Sequence, residues 1–242
     1  DNGQILDEVY EYGSFLQSKM HAQRVRCTDC HNPHSLQLKY AGNQLCTQCH
    51  LPGRYDTPDH HHHPVESAGA SCIECHMPMR TYMVIDDRRD HSFRVPRPDL
   101  TVEFGTPNTC NDCHTRPEET PEWAAAKVRE WYGDERRDDP HWTPAFVAGR
   151  RGEPGGDELL AEVILRPTTP AIVRATAVSL IGQYPTEKSI QAQHAALRDA
   201  DPLVRTAAAR VLAGGSSQGE IVRLLGERLN DPIPAAPVAT DR

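Results

Sequence analysis

The chain lacks a long apolar segment and shows no excess of positive charge. Its best apolar stretch, residues 171–182, is interrupted by Arg174 and Ser179 and falls short of the roughly 18 apolar residues that a membrane helix needs. No membrane span is therefore expected. The 26 Lys and Arg residues against 34 Asp and Glu residues give a formal net charge of -8. This balance argues against nucleic-acid binding, which rests on clustered positive charge.

Aromatic residues are scarce as well. They make up 6% of the 242 residues, and apolar residues of all kinds make up 38%. These are few apolar side chains for the hydrophobic core of one or two domains. We therefore expect a bound group that is not a side chain to add apolar volume to the core. The sequence begins at Asp1 without an initiator Met, so we also expect that it is processed or excised from a longer protein.

No cysteine falls outside one repeated pattern, Cys-X-X-Cys-His. The four copies are Cys27, Cys30 and His31; Cys46, Cys49 and His50; Cys72, Cys75 and His76; and Cys110, Cys113 and His114. Two thiols three positions apart can add to the two vinyl groups of one haem, and the following histidine then binds the iron. The pattern predicts four covalently attached haem c groups, each with one proximal histidine.

Three other interpretations compete for these cysteines. The first two pairs, separated by 15 residues, also match a zinc ribbon with four thiolate ligands. Disulfides and a thioredoxin-like redox pair are the other two. None of the three requires the histidine that follows every pair, whereas haem attachment requires it each time.

Nine further histidines could supply the second axial ligands of the irons. The predicted ligands among them are His34, His91, His61, His63 and His21. His34 lies three residues after a motif histidine, so we expect it to bind a neighbouring haem rather than its own. In the run 60–63 we expect at least one ligand, with a solvated loop as the alternative for two of its members.

Some candidates carry a simpler interpretation. His141, in a Pro-rich linker, and His194, in a helical segment, are expected to be structural. The methionines, Met20, Met77, Met79 and Met83, are alternative thioether ligands, although Met more often packs against apolar surfaces. The sequence leaves two alternatives open for one of the haems, which are a Met ligand and a five-coordinate iron.

The sequence divides into three segments. Residues 1–132 have little helical periodicity and many Pro and Gly breaks, and are predicted to be a compact tetrahaem domain with little regular structure. Within it, Pro121 precedes a predicted helix at 123–132. Residues 133–156 are predicted to be a linker. Residues 157–242 are predicted to be α-helical, which makes the fold class mainly α.

An internal repeat marks the last segment. Residues 172–181 align with residues 203–212 at an offset of 31, and a third copy begins at Asp231. Pro234 and Pro237 fall where this third copy should be helical, so it is expected to be degenerate. The pattern resembles HEAT repeats, which stack pairs of helices. The expected role is a scaffold or docking surface, and a stabilising cap is the alternative.

The whole sequence resembles bacterial multihaem c-type cytochromes of the paired CXXCH type that continue into HEAT-like or tetratricopeptide-like repeats. The segments that carry this resemblance are residues 12–20, 30–34, 55–58, 81–84, 90–99 and 105–108. The resemblance implies electron transport, with His34, His91 and the 60–63 run as the extra histidines. It also implies a periplasmic or extracellular location, because haem c is attached outside the cytoplasm.

The expected function is electron transfer along closely spaced, mostly bis-histidine haems, without enzyme activity. Only 14 residues separate His31 from Cys46, so the first two haems are expected to be neighbours. Redox proteins are the expected partners, and end-to-end assembly of copies into a filament is a further expectation. The alternatives are a haem enzyme with one five-coordinate iron acting on a small nitrogen or sulfur species, and an interaction module that senses redox state.

Overall fold

The computed structural model describes residues 11–134 and 141–215, which fall into two compact units. The first unit contains the described residues up to 134, and the second contains those from 141 onwards. Helices predominate in both, which confirms the predicted mainly α fold. None of the helices in these two ranges is both long enough and apolar enough to cross a lipid bilayer.

The first unit is built from short helices, most of them single turns. They are α1 (Glu11–Phe15), α2 (Lys19–Ala22), α3 (Cys27–Cys30), α4 (Gln44–Thr47), α5 (Pro52–Tyr55), α6 (Pro58–His61), α7 (Cys72–His76), α8 (Pro98–Phe104), α9 (Cys110–Cys113) and α10 (Pro121–Tyr132), with a 3₁₀ turn at Ala68–Ala70. Proline stands in the first turn of α5, α6, α8 and α10, where its missing amide hydrogen costs no hydrogen bond. Frequent Pro and Gly residues keep the segments between these helices irregular.

A small antiparallel hairpin completes the first unit. Strand β1 (Met79–Tyr82) pairs with strand β2 (Asp86–Arg89), with Met79 opposite Arg89 and Tyr82 opposite Asp86. Tyr82 is 2% exposed, so the hairpin is anchored by one large buried side chain.

The first unit buries few apolar side chains of its own. In its described part these are Phe15, Ala70, Tyr82, Leu100 and Ala124. Several large apolar side chains close to the Cys-X-X-Cys-His motifs are instead exposed, among them Leu36, Leu38 and Leu51. The low content of apolar residues in the sequence therefore corresponds mainly to a small apolar core in this unit.

Helix α10 is the longest helix of the first unit and lies where the sequence predicts a helix. The Thr120 side chain accepts a hydrogen bond from the Trp123 amide and caps its first turn. Gly133 ends it at a φ of 69°, a left-handed value that glycine adopts without steric cost.

The second unit is a stack of longer helices. They are α11 (Thr143–Arg151), α12 (Gly156–Leu165), α13 (Ala171–Ile181), α14 (Glu187–Ala196) and α15 (Pro202–Gly215). Their facing sides form one apolar core, in which Leu160, Val178, Ile181 and Val204 are completely buried. Each such side chain contributes about 1.5–3 kcal/mol of hydrophobic stabilisation.

The predicted internal repeat is visible in the second unit. Residues 172–181 lie in α13 and residues 203–212 lie in α15, so the two aligned copies form equivalent helices. Arg174 pairs with Asp199 at 2.7 Å and also donates to the Thr169 carbonyl. Arg205, at the equivalent position, donates to the Asp199 carbonyl at 2.9 Å. In both copies the arginine ties the start of its helix to the preceding loop.

Part of the segment predicted as a linker is helical. Helix α11 lies inside residues 133–156 and packs Phe146 into the core of the second unit. The glycines and charges that suggested a linker flank this short apolar run and do not interrupt it. The third repeat copy, at Asp231, lies outside the described residues.

Candidate metal centre

The four Cys-X-X-Cys pairs lie on or at the end of single helical turns. Helices α3, α7 and α9 each contain both cysteines of their motif. Helix α4 contains Cys46, and Cys49 follows two residues after its end. Residues three apart in a helical turn face the same side, so each turn presents two thiols to one ligand.

The motif thiols are not joined in disulfides. All eight cysteines are free. In the described ranges, no group of three or more His, Cys, Asp or Glu side chains is arranged to hold a metal ion.

Burial raises the pKa of three of the motif thiols. Desolvation raises the pKa of Cys75 to about 11, and it also raises the pKa of Cys30 and of Cys110. A hydrogen bond between Cys46 and Cys72 raises the pKa of the first and lowers that of the second. Redox-active Cys-X-X-Cys pairs depend on a thiol whose pKa is lowered by nearby positive charge. The pKa of Cys72 is lowered, but its largest cause is the hydrogen bond with Cys46 and not a nearby positive charge.

Three of the four motif histidines are oriented through Nδ1. His31 Nδ1 bonds to the Leu36 carbonyl at 2.9 Å, and His76 Nδ1 bonds to the Arg94 carbonyl at 2.5 Å. His114 Nδ1 bonds to the Glu119 carboxylate at 3.1 Å. An Nδ1–H that donates to an oxygen leaves the Nε2 lone pair for a metal, and metal-binding histidines are usually held in this way.

Each of these three histidines faces a second imidazole. The ring centres are 6.3 Å apart for His31 and His91, 6.2 Å for His76 and His60, and 5.9 Å for His114 and His63. The first two pairs are nearly parallel, with interplanar angles of 28° and 9°. Two imidazoles that bind one metal from opposite sides, through bonds of about 2.0 Å, have ring centres roughly 6 Å apart. The spacing fits an iron between the rings of each pair.

Two of the facing imidazoles are also oriented through Nδ1. His91 Nδ1 bonds to the Glu11 carboxylate at 3.0 Å and to the Arg89 carbonyl at 2.9 Å. His63 Nδ1 bonds to the His61 carbonyl at 2.5 Å. A Cβ at Gly69 would overlap the His63 ring, so a glycine is needed beside this imidazole. The donor set therefore fits haem iron bound through Nε2.

The local backbone separates the consecutive histidines of the 60–63 run. His62 has a left-handed φ of 55° at the end of α6, so the chain turns between His60 and His63. The His62 ring stacks on Trp131 at 4.2 Å, and the Tyr132 hydroxyl donates to the His60 carbonyl. Helix α10 thereby holds the turn that directs His60 and His63 to different motifs.

Four histidines that the sequence analysis predicts as ligands are not placed opposite another imidazole among the described residues. His50 contacts the Tyr55 ring edge-on at 5.6 Å, and His21 contacts the Phe15 ring at 5.4 Å. His34 is exposed on a loop. His61 accepts a hydrogen bond at Nδ1 from the His63 amide, which in the neutral ring puts the proton on Nε2.

Other residues of the arrangement are missed by the sequence analysis. His60 belongs to the run that was expected to supply a ligand, but it is not among the predicted residues. Glu11 orients His91 from 80 positions away in the sequence, and Glu119 orients His114 from the loop that follows α9. No sequence spacing points to either carboxylate. His141 has the structural role expected of it, because its Nδ1 accepts from the Thr143 amide at the start of α11.

Comparison with known families gives two matches. Residues 21–54 match the model of the doubled CXXCH motif, and residues 158–235 match the model of HEAT repeats. No curated protein and no solved structure shows significant similarity to the chain. The doubled CXXCH motif indicates covalently bound haem c with its iron and an electron-carrying role. The chain thus combines the haem-binding motif of a multihaem c-type cytochrome with HEAT-like repeats, as the sequence predicts.

Proposed function

We propose that the chain carries four haem c groups, one on each motif, and transfers electrons along them. The observation that carries this proposal is the set of three imidazole pairs, each with ring centres about 6 Å apart. The free thiols on the same helical turns and the sparse apolar core of the first unit support it further. Haem bound at these turns would supply the redox chemistry.

The pairs support a distal ligand for each of three motifs. His91 lies opposite His31, His60 opposite His76, and His63 opposite His114. Two imidazoles at each of these sites would hold a haem iron from both sides, would leave it no coordination position for a substrate, and would keep its potential lower than a Met ligand would. This favours an electron carrier over an enzyme.

The second motif bears on the alternative of a haem enzyme. The described aromatic contact of His50 is with Tyr55, so we assign no distal histidine there. His34, His21 and His61 are the predicted ligands that the pairs leave unused. Should none of them bind this iron, the second site would be five-coordinate and able to bind a small nitrogen or sulfur species.

The experiment that decides between carrier and enzyme uses the purified, haem-loaded chain. For a carrier, His34 or another predicted histidine completes the second site, so we expect electron paramagnetic resonance (EPR) of the ferric state to give low-spin signals only, and carbon monoxide to leave the ferrous spectrum unchanged. A high-spin signal with carbon monoxide binding would favour the enzyme, and the absence of haem would overturn both proposals. A potentiometric titration then shows whether the haems accept and release electrons reversibly.

We also propose a periplasmic or extracellular location, with redox proteins as partners. The support is the resemblance to multihaem c-type cytochromes, in which haem c is attached outside the cytoplasm. Assembly of copies into a filament is a finer proposal, supported by the exposure of His34, which is free to meet a haem of a second copy. Size-exclusion chromatography and negative-stain images test it. Filaments that disappear in His34→Ala would support the proposal, and monodisperse globules would contradict it.

A further inference from the structure

Tyr55 lies between the second and third motifs and contacts a histidine associated with each of them. Its ring centre is 5.6 Å from that of His50 and 5.3 Å from that of His60. His50 belongs to the second motif, and His60 lies opposite His76 of the third. One phenol ring therefore touches the imidazoles of two different candidate haem sites.

Both contacts are edge-to-face. The interplanar angle is 84° with His50 and 90° with His60. Aromatic rings prefer this arrangement because the positive edge of one ring meets the negative face of the other. A contact of this kind resists rotation of each imidazole about its own axis, so it restricts the plane of the ring as well as its position.

The position of Tyr55 is itself fixed by the start of the third motif. Tyr55 ends helix α5, and the following residue, Asp56, accepts a hydrogen bond from Asn43 at 2.7 Å. The Asn43 side chain also accepts from the Cys72 amide at 2.9 Å and donates to the Ala70 carbonyl. The Arg54 guanidinium lies 5.1 Å from the centre of the Tyr55 ring. The tyrosine is thus held from both motifs.

We propose that Tyr55 is a positioning residue that sets the ring planes of His50 and His60 together and so couples the second and third haem sites. The inference rests on the proposed function, because it concerns iron ligands. The angle between the two axial imidazole planes governs the low-spin ferric EPR signal of a haem. A residue that fixes one ring at each of two sites therefore influences the signals and potentials of both.

The test compares the haem-loaded wild-type chain with three variants at this position. Tyr55→Leu and Tyr55→Gln remove the ring, whereas Tyr55→Phe keeps it and removes the hydroxyl. Tyr12→Leu is the matched control, because Tyr12 is 62% exposed and lies in α1. The measurements are ferric EPR, potentiometric titration and the haem content of the intact chain by mass spectrometry.

We expect both ringless variants to shift the EPR signals and midpoint potentials of two haems while the other two keep theirs. Tyr55→Phe and Tyr12→Leu should match the wild type. Loss of two haems from the ringless variants would also support the proposal, because it would place the effect at two sites.

Three results would overturn the inference. They are unchanged signals in both ringless variants, a change at one haem or at all of them, and a Phe variant that behaves like the Leu variant. Failure of the proposed function would be distinct from these, because the wild-type chain itself would then lack low-spin haem signals.

Discussion

The imidazole rings of His60 and His76 have centres 6.2 Å apart and planes that are only 9° from parallel. His76 follows the two cysteines of the third motif, and His60 comes from the end of α6, 16 positions earlier in the sequence. Two rings in direct stacking contact would lie much closer together. The separation leaves room for one metal ion that both rings bind.

Replacement of His60 by alanine tests this pair. We expect His60→Ala to convert one haem from low-spin to high-spin and to make its ferrous form bind carbon monoxide, because one axial position is vacated. His61→Ala is the matched control and should keep the wild-type spectrum, since His61 uses Nδ1 to accept from the backbone. Optical and EPR spectra are the measurement. High-spin haem in the His61 variant and not in the His60 variant would contradict the assignment.

Glu119 is expected to lower the potential of the fourth haem. Its carboxylate bonds to His114 Nδ1 and accepts from the Arg116 amide at 3.0 Å, and these bonds hold the pKa of Glu119 below its usual range. The negative charge makes the imidazole more electron-rich and so favours ferric iron. If Glu119→Gln weakens the preference for ferric over ferrous iron tenfold, the midpoint potential of this haem rises by about 59 mV.

The control for this variant is the neighbouring, exposed carboxylate. Glu118→Gln removes the same charge one residue away and should leave all midpoint potentials within error of the wild type. Potentiometric titration with optical detection measures both variants. Equal shifts in the two variants would mean that the effect comes from general charge and not from the hydrogen bond to His114.

The ion pair of Arg174 and Asp199 should stabilise the repeat unit. The two side chains are 10% and 16% exposed, and Arg174 also donates to loop carbonyls ahead of α13. Removal of one partner from a buried pair costs about 3–5 kcal/mol, because the other charge is left without compensation. We expect Arg174→Ala to lower the free energy of unfolding by this amount, measured by urea unfolding with far-ultraviolet circular dichroism.

Lys188→Ala provides the comparison within the same unit. Its pair with Glu158, at 3.4 Å, has side chains that are 51% and 65% exposed, so its loss should cost less than about 1 kcal/mol. A similar cost for the two variants would show that burial of the Arg174 pair does not matter. The haem absorbance should be unchanged in both.

The parts of the molecule that the sequence predicts are those set by short-range patterns. The repeat offset predicts α13 and α15 as equivalent helices. Pro121 correctly marks the first turn of α10. In each case the residues that decide the structure lie within a few positions of one another.

The choice of ligand in the 60–63 run depends on more distant features. Four identical side chains carry no pattern, and the left-handed backbone of His62, held by Trp131, decides which rings face the motifs. The sequence analysis therefore selects His61 and His63, whereas the structure places His60 and His63 opposite motif histidines. The role of Glu11 beside His91 depends in the same way on a contact between residues 80 positions apart.

The intact mass of the purified native chain tests the central claim most directly. The account predicts a coloured protein whose mass exceeds that of the 242-residue chain by four haems and keeps this excess after denaturation, because thioether bonds hold each group. A colourless chain, or one whose cysteines carry metal ions or disulfides in place of haem, would contradict it.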